Sequence, residues 1–144
     1  MWTCPTCGRS FRKANQSHSC RLTAKEELFA KRSPDLKEIY DKIISAIKPW
    51  GTFREEAVPP DTIFLKTHST FLAVKIKRDR LDIEFFLDHL ENNSPVSKFL
   101  QTSAHRFVHY VPVDCNADID SRLINWIRES YRLILAKKPV KKIK

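Results

Sequence analysis

The chain has 144 residues, of which 42% are hydrophobic and 30% charged, and it contains only two glycines, Gly8 and Gly51. This length and composition suit one compact globular domain with a small appendage, and two glycines are too few for a glycine-rich phosphate loop. No apolar run approaches the ~18 residues that cross a bilayer, and no apolar signal region begins the chain, so we expect a cytoplasmic protein without membrane contact.

The net charge of +9 is concentrated at the two ends of the chain. Residues 1–33 carry seven Lys and Arg against two acids, residues 112–144 carry eight against four, and the region between them is balanced. Basic segments at both ends favour a polyanionic partner such as nucleic acid. For the basic tail, residues 137–144, a solvated segment that only aids solubility is the alternative.

The N-terminal segment carries three cysteines and a histidine at a metal-ligand spacing. Cys4 and Cys7 form a Cys-x2-Cys pair, and a His-x-Cys pair, His18 and Cys20, follows after ten residues. Three cysteines and one histidine are a usual tetrahedral ligand set for structural zinc. We therefore predict one structural Zn²⁺ in a module over residues 1–22, with the His-x-Cys pair on a turn because an i, i+2 pair cannot share a helix face.

Two other readings of the Cys-x2-Cys pair stay open at this point. It could be a redox pair, although such pairs usually lie in a βαβ frame that this segment lacks, and in an oxidising compartment the cysteines could form disulfides. An open catalytic zinc site is disfavoured because four protein ligands leave no position for water.

Other residues of the segment fit a small metal module. Trp2 and Phe11 can form a small core, and Gly8 suits a backbone position with positive φ. The fourth cysteine, Cys115, is expected to be a half-buried apolar residue.

Two helices are expected next. Thr23 and Glu26 fit a capping box that predicts a short connecting helix within residues 23–33, burying Leu28 and Phe29. Ser33-Pro34-Asp35 then combines a capping hydroxyl, a proline that pre-sets φ and an acid that favours a helix start. Apolar residues at helical spacing continue this second helix until Pro49 and Gly51 end it: Leu36, Ile39, Tyr40, Ile43, Ile44 and Ile47.

The middle of the chain predicts four or five antiparallel strands, because short turns separate runs of β-branched and aromatic residues. Residues 90–103 are polar and are expected to form a loop with a helical turn at 96–100. An amphipathic helix from about Asp118 to Ala136 follows. Residues 34–136 are therefore predicted to form an α+β domain of helix, sheet and helix, with strands at 53–57, 62–66, 70–77, 81–85 and 106–111.

Basic residues near the predicted metal site are the candidates for nucleic-acid binding. Cations beside an aromatic ring can follow phosphates while the ring stacks on a base. A second pair of arginines lies at a predicted hairpin tip. The candidate contacts are Arg9, Arg12, Lys13 and Arg21 in the metal segment, and Arg78 and Arg80 at the hairpin tip.

No group of residues predicts catalysis. His68 and Ser69 lie in a predicted turn without a nucleophile elbow. His105 and His109 share one face of a predicted strand, where the sequence supplies no further metal ligands. Asp82, Glu84 and Asp88 alternate with apolar residues and fit the solvated face of a sheet, with metal binding or general acid–base catalysis as the alternative.

Two segments resemble a known family. W-T-C-P-T-C-G-R-S-F and N-Q-S-H-S-C, with the helix–sheet–helix region after them, resemble an uncharacterised bacterial domain-of-unknown-function family, number 5655. The resemblance implies that Cys4, Cys7, His18 and Cys20 are metal ligands, and it assigns no substrate, catalytic residue or partner.

The sequence therefore favours a non-catalytic, zinc-containing binding module that contacts nucleic acid through its basic N-terminal segment. A protein-interaction or adaptor domain is the first alternative, and an enzyme with its site in the sheet domain is the second. The sequence does not set the oligomeric state.

Overall fold

The structure, a computed structural model, describes residues 2–5, 8, 10–16, 25–30, 32–93 and 95–136. It has an α+β architecture with a two-stranded hairpin, three α-helices and a six-stranded antiparallel sheet. The elements are β1 (Trp2–Thr3), β2 (Ser10–Phe11), α1 (Lys25–Phe29), α2 (Pro34–Ile47), β3 (Arg54–Val58), β4 (Thr62–Lys66), β5 (Thr70–Ile76), β6 (Leu81–Leu87), β7 (Lys98–Ser103), β8 (Arg106–Val113) and α3 (Ser121–Ala136).

The strands follow one another across the sheet except at one edge, where the order is β3-β4-β5-β6-β8-β7. Strand β8 returns to pair with β6, so β7 becomes the edge strand. Residues alternate between two faces along each strand. One face joins α2 and α3 in a single hydrophobic core, and we call the opposite side the outer face. The outer face includes Glu56, Phe64, Lys66, Lys75, Glu84, Phe86, Lys98, Arg106 and Tyr110.

Helix α2 follows the capping and periodicity that the sequence predicts, and α1 lies within the predicted range, whereas Thr23 of the predicted capping box lies outside the described residues. Leu28 and Phe29 of α1 are buried. The Ser33 hydroxyl accepts a hydrogen bond from the Asp35 N–H at 3.3 Å and caps α2, where Pro34 is the first residue. All six apolar residues of the predicted α2 stripe are buried, and α2 passes into a short 3₁₀ turn over Lys48–Trp50.

A buried serine of α3 joins this helix to two strands. Ser130 is fully buried, its Oγ accepts a hydrogen bond from the Phe86 N–H at 3.0 Å, and it donates one to the Phe71 carbonyl at 2.7 Å. The backbone groups of β5 and β6 therefore have their partners at the point where the helix crosses them. This contact fixes α3 over the end of β6.

The N-terminal hairpin packs against the outer face of the sheet. The Lys66 ammonium donates a hydrogen bond to the Ser10 carbonyl at 3.0 Å, and it lies 4.5 Å from the centre of the Phe11 ring. Lys66 also forms an ion pair with Glu56 at 3.0 Å, and both side chains are almost completely buried. The hairpin is thus attached to strands β3 and β4.

The structure corrects four sequence-based expectations. Residues 98–103, expected in a loop with a helical turn at 96–100, form strand β7, although every residue of β7 is exposed and the segment lacks apolar alternation. The sheet therefore has six strands where four or five were predicted. His105 lies in the turn before β8, so it does not share a strand face with His109. Cys115 is exposed and not half-buried.

Candidate nucleic-acid interface

Cys4, the first of the predicted metal ligands, lies in the N-terminal hairpin. Strands β1 and β2 pair antiparallel, and Cys4 follows β1 and is buried. The Gly8 N–H donates a hydrogen bond to the Cys4 carbonyl at 2.8 Å, and Gly8 has a φ of 77°, as the sequence predicts. A tight turn with a glycine at positive φ after Cys-x2-Cys fits the knuckle that brings two sulfurs to one ion.

The remaining predicted ligands, Cys7, His18 and Cys20, lie outside the described residues. The two aromatic residues of the segment face each other across the hairpin, since Trp2 pairs with Phe11 and their ring centres are 6.2 Å apart. The small aromatic core expected from the sequence is therefore present on the described part of the segment.

An arginine of the hairpin segment acts electrostatically on an arginine of the sheet. Arg12 follows β2 and is exposed, whereas Arg106 begins β8 and is half-buried. Burial lowers the pKa of the Arg106 guanidinium, and the nearby positive charge of Arg12 lowers this pKa further. Within the described parts of the chain, Arg106 has no ion pair with a carboxylate. Positive charges that act on each other without a counter-charge favour the binding of an anion.

Several cations of the outer face lie over aromatic rings. The Arg106 guanidinium is 4.3 Å from the centre of the Phe86 ring, and the Lys98 ammonium is 4.7 Å from that of Tyr110. Glu84 is a carboxylate of the same face, and burial raises its pKa, which the charge of Lys75 partly opposes. Cations interleaved with aromatic rings are the pattern that single-stranded nucleic-acid surfaces use.

The other basic candidates divide into three groups. Lys13 is exposed on the hairpin segment next to Arg12. Arg9 and Arg21 lie outside the described residues. Arg78 and Arg80 are exposed at the turn between β5 and β6, as predicted, and Arg80 pairs with Asp82 at 2.8 Å. This turn is at the opposite end of β6 from Arg106, and seven strand residues separate the two ends by about 20 Å.

A groove of about 780 Å³ opens between the end of β6, the turn before β8 and the last turn of α3. Its apolar lining consists of Phe86, Leu87, Leu133, Ile134 and Ala136, and its polar lining consists of Asp88, Thr102, Ser103, His105 and Arg106. This volume is within the range of about 300–1,000 Å³ that is typical of small-molecule sites.

The groove contains a serine, a histidine and an aspartate, but they are not arranged as a catalytic triad. The Asp88 carboxylate bonds the ring of His89 at 2.9 Å, and no hydrogen bond joins Ser103 to His105 among the residues that the structure describes. A nucleophilic serine needs a base within hydrogen-bond reach. The described side chains therefore supply no activated serine in this groove.

Two histidines near the groove have opposite environments. His89 is partly exposed, and its hydrogen bond to Asp88 raises its pKa, which the charge of Glu129 raises further. His109 is fully buried on the helix side of the sheet, and burial lowers its pKa. Its Nε2 accepts a hydrogen bond from the Glu91 N–H at 2.9 Å, and its ring stacks on Phe85.

Two acidic clusters in the described regions bring possible metal ligands within 4.8 Å of one another: Asp88, His89 and Glu129, and Asp114, Cys115 and Asp118. Both are largely exposed. In the first, each His89 nitrogen already contacts a carboxylate, and in the second, the Asp118 carboxylate accepts the Asp114 N–H. These local contacts account for the clusters without an ion.

Sequence reasoning missed the contributions of Arg106, Lys98 and Phe86 to this surface. Arg106 and Tyr110 have the same parity along β8, so alternation alone would have placed them on one face. Nothing in the sequence indicated that β8 pairs with β6 or that the hairpin packs on the outer face. In the described parts of the chain, no helix has the combined length and apolarity needed to cross a membrane.

Comparison with known proteins gives one match. The model of a family described as a domain of unknown function (DUF5655) matches residues 25–134, which extend from the start of α1 almost to the end of α3. No curated protein and no solved structure matches the chain significantly. The matched range begins after the cysteine- and histidine-containing segment.

Proposed function

The chain belongs to the domain of unknown function family DUF5655, and, since that description names no activity, we propose from its residues that it is a zinc-containing, non-catalytic nucleic-acid-binding protein. The binding surface consists of the N-terminal hairpin and the adjoining end of the outer face. The proposed setting is the reducing cytoplasm of a bacterium, where cysteine thiolates remain available for metal.

The observation that carries this proposal is the half-buried Arg106, whose guanidinium lies 4.3 Å from the centre of the Phe86 ring and has no carboxylate partner among the described residues. Burial lowers the pKa of Arg106, and the positive charge of Arg12 lowers it further. Keeping an unpaired cation partly buried costs free energy. A phosphate bound by the two arginines would remove this cost and accept hydrogen bonds from both guanidinium groups.

Zinc is proposed to hold the hairpin in place, with Cys4, Cys7, His18 and Cys20 as its ligands. Bound zinc would supply a structural cross-link for a segment too short to form its own core. The buried Cys4 and the positive φ of Gly8 support this assignment. The site serves binding because it fixes the backbone that carries Arg12.

Further basic residues are proposed to extend the contact. Arg9, Lys13 and Arg21 belong to the same segment, and the tail over 137–144 adds positive charge after α3. Arg78 and Arg80 are proposed as a separate contact, which a nucleic acid would reach only by running along the length of β6. Each phosphate contact made by a side chain steepens the dependence of affinity on salt.

The proposal is tested by fluorescence anisotropy of labelled mixed-sequence oligonucleotides with the full-length protein at several salt concentrations. Affinity should fall linearly with salt on logarithmic axes. Arg106→Gln and Arg12→Gln should each reduce the slope for a single strand by about 0.7. Arg132→Gln, which removes an exposed arginine of α3, is the matched control. No binding at 20 mM salt, or equal losses in all three variants, would refute the proposal.

A protein-interaction role is the second candidate, and strand β7 favours it. All six residues of this edge strand are exposed, including Phe99 with 41% and Leu100 with 54% of their surface accessible. Bare edge strands can accept a strand from another chain. Nuclease-treated affinity purification followed by mass spectrometry tests this role. A stoichiometric protein partner that Leu100→Lys releases would support it, and recovery of the chain alone would count against it.

A further inference from the structure

The groove at the end of β6 adjoins the proposed phosphate contact and shares a residue with it. Arg106 lines the groove and its guanidinium lies 4.3 Å from the centre of the Phe86 ring. Apolar side chains form one wall, and the end of β7 supplies hydroxyl groups from Thr102 and Ser103. A ligand bound to Arg106 is therefore at the edge of this groove.

Arg106 suits a ligand that has both a flat ring and a negative charge. A guanidinium stacks through its planar faces and donates hydrogen bonds from its edge, so one arginine can contact an aromatic ring and a phosphate at once. The Phe86 ring already uses this stacking geometry. Asp88 can accept a hydrogen bond and the Ser103 hydroxyl can donate one, as the polar edge of a nucleobase requires, whereas the Thr102 hydroxyl donates to the Arg106 carbonyl.

We propose that the groove receives an unstacked nucleobase from a single-stranded nucleic acid, whose adjacent phosphates contact Arg12 and Arg106. This inference rests on the proposed function and narrows its substrate class. In a duplex the bases are paired and stacked inside the helix, so they do not reach a groove on a protein surface. In a single strand they turn outward onto aromatic and arginine planes.

The first test compares three probes of equal length with the full-length, zinc-loaded protein at one salt concentration. They are a mixed-sequence 12-nucleotide single strand, its blunt duplex, and an abasic 12-nucleotide strand that keeps the phosphates without bases. The single strand should bind roughly ten-fold more tightly than either other probe, because stacking adds to phosphate contact. Equal affinity for all three would overturn this inference and leave the proposed function standing. Absence of binding to all three would refute both.

The second test fills the groove. Ala136→Trp, at an exposed position of the groove wall, should lower single-strand affinity to that of the abasic strand and leave abasic affinity unchanged. Ser45→Trp adds the same side chain to the exposed side of α2 and is the control. Thr102→Trp fills the groove from the opposite wall if the first variant is unstable. A preference for bases that survives both fillings would overturn the inference.

A third measurement uses the wild-type protein and needs no substitution. Photo-crosslinking of a strand containing 5-bromouracil, followed by digestion and mass spectrometry, should modify peptides that contain Phe86 or His105. Crosslinks confined to the hairpin residues near Trp2 would place the base elsewhere and would overturn the inference.

Discussion

The Lys66 ammonium donates a hydrogen bond to the backbone carbonyl of Ser10 at 3.0 Å, so one side chain of the sheet holds the N-terminal hairpin. The same ammonium forms an ion pair with Glu56 at 3.0 Å, and only 7% of each side chain is exposed. Buried charges are tolerated only when they are paired and hydrogen-bonded. The hairpin and the ion pair therefore depend on each other.

Replacing Lys66 with methionine should destabilise the protein and free the hairpin. The substitution removes the 3.0 Å contact from the buried Glu56 carboxylate, which keeps the Arg54 guanidinium at 3.8 Å, so the loss should be near the lower end of the about 3–5 kcal/mol that breaking a buried ion pair costs. Urea unfolding gives the free energy, and faster hydrogen exchange at the amides of β1 and β2 reports the detachment of the hairpin.

Lys37→Met is the matched control for that experiment. Lys37 pairs with Asp41 at 3.1 Å on α2, where the two side chains are 31% and 53% exposed. Loss of such an exposed i, i+4 pair should cost no more than about 0.5 kcal/mol. Similar losses in both variants would show that the Lys66 pair contributes no more than a surface contact.

The protein purified under reducing conditions should contain one zinc ion per chain. Cys20→Ser should abolish zinc binding and unfold the hairpin, because a three-ligand remnant of a structural site holds the ion poorly. Elemental analysis measures the metal, and far-UV circular dichroism checks that the sheet domain stays folded.

Cys115→Ser provides the control for the zinc experiment. Cys115 is exposed and lies between the end of β8 and α3, far along the chain from the predicted ligands. This variant should keep its zinc. Metal-free wild-type protein, or metal loss on substitution of Cys115, would remove the zinc assignment.

Ser130→Ala should destabilise the junction of α3 with the sheet. It leaves the Phe86 N–H and the Phe71 carbonyl without their partner, and an unsatisfied buried polar group costs about 1–3 kcal/mol. Hydrogen exchange should accelerate most at the Phe86 amide. Ser45→Ala, at an exposed position of α2, is expected to change stability by less than about 0.5 kcal/mol, and an equally small change for Ser130 would contradict the prediction.

The helices were predictable from the sequence because local signals define them. The Ser33 cap and the apolar stripe of α2 act within a few residues, and the same is true of α3. Strand β7 was not predictable, because its residues from Lys98 to Ser103 have no buried face and their strand state comes only from pairing with β8. Edge strands depend on such tertiary pairing more than on their own sequence.

Lowering the pH should destabilise the folded protein because His109 is buried. Burial lowers its pKa in the folded protein, so the unfolded chain binds the proton more readily at ordinary histidine values near 6.5. Stability from the neutral ring is complete above that pH and is lost as the pH falls through it. The free energy of unfolding of His109→Phe, measured with urea and taken relative to that of the wild type, should therefore be higher at pH 5 than at pH 8.

His89 should show the opposite pH dependence. Its hydrogen bond to Asp88 raises its pKa in the folded protein, so the protonated ring stabilises the fold below the unfolded value. This contribution is lost as the pH rises through the folded value. His89→Gln should destabilise the protein more at pH 5 than at pH 8. The same sign for both histidine variants would contradict one of the two assignments.

The candidate site was predictable only in its N-terminal part. The spacing of Cys4 and Cys7 and the basic residues beside them are local, and the structure keeps Arg12 exposed next to the hairpin. The other half of the surface joins Arg106 of β8 to Phe86 of β6, and only the strand order brings these two residues together. The resemblance to the family is confirmed over residues 25–134, whereas the zinc ligands stay a prediction.

Because β8 returns to pair with β6, the strands that form the core are separate from the segment that lines one side of the groove. Five strands form a continuous ladder without β7, and the excursion between Leu87 and Arg106 leaves and re-enters that ladder at adjacent positions. This excursion supplies one side of the groove yet contributes little to the hydrophobic core. We therefore expect substitutions in this excursion to alter binding at the proposed groove more than they alter thermal stability.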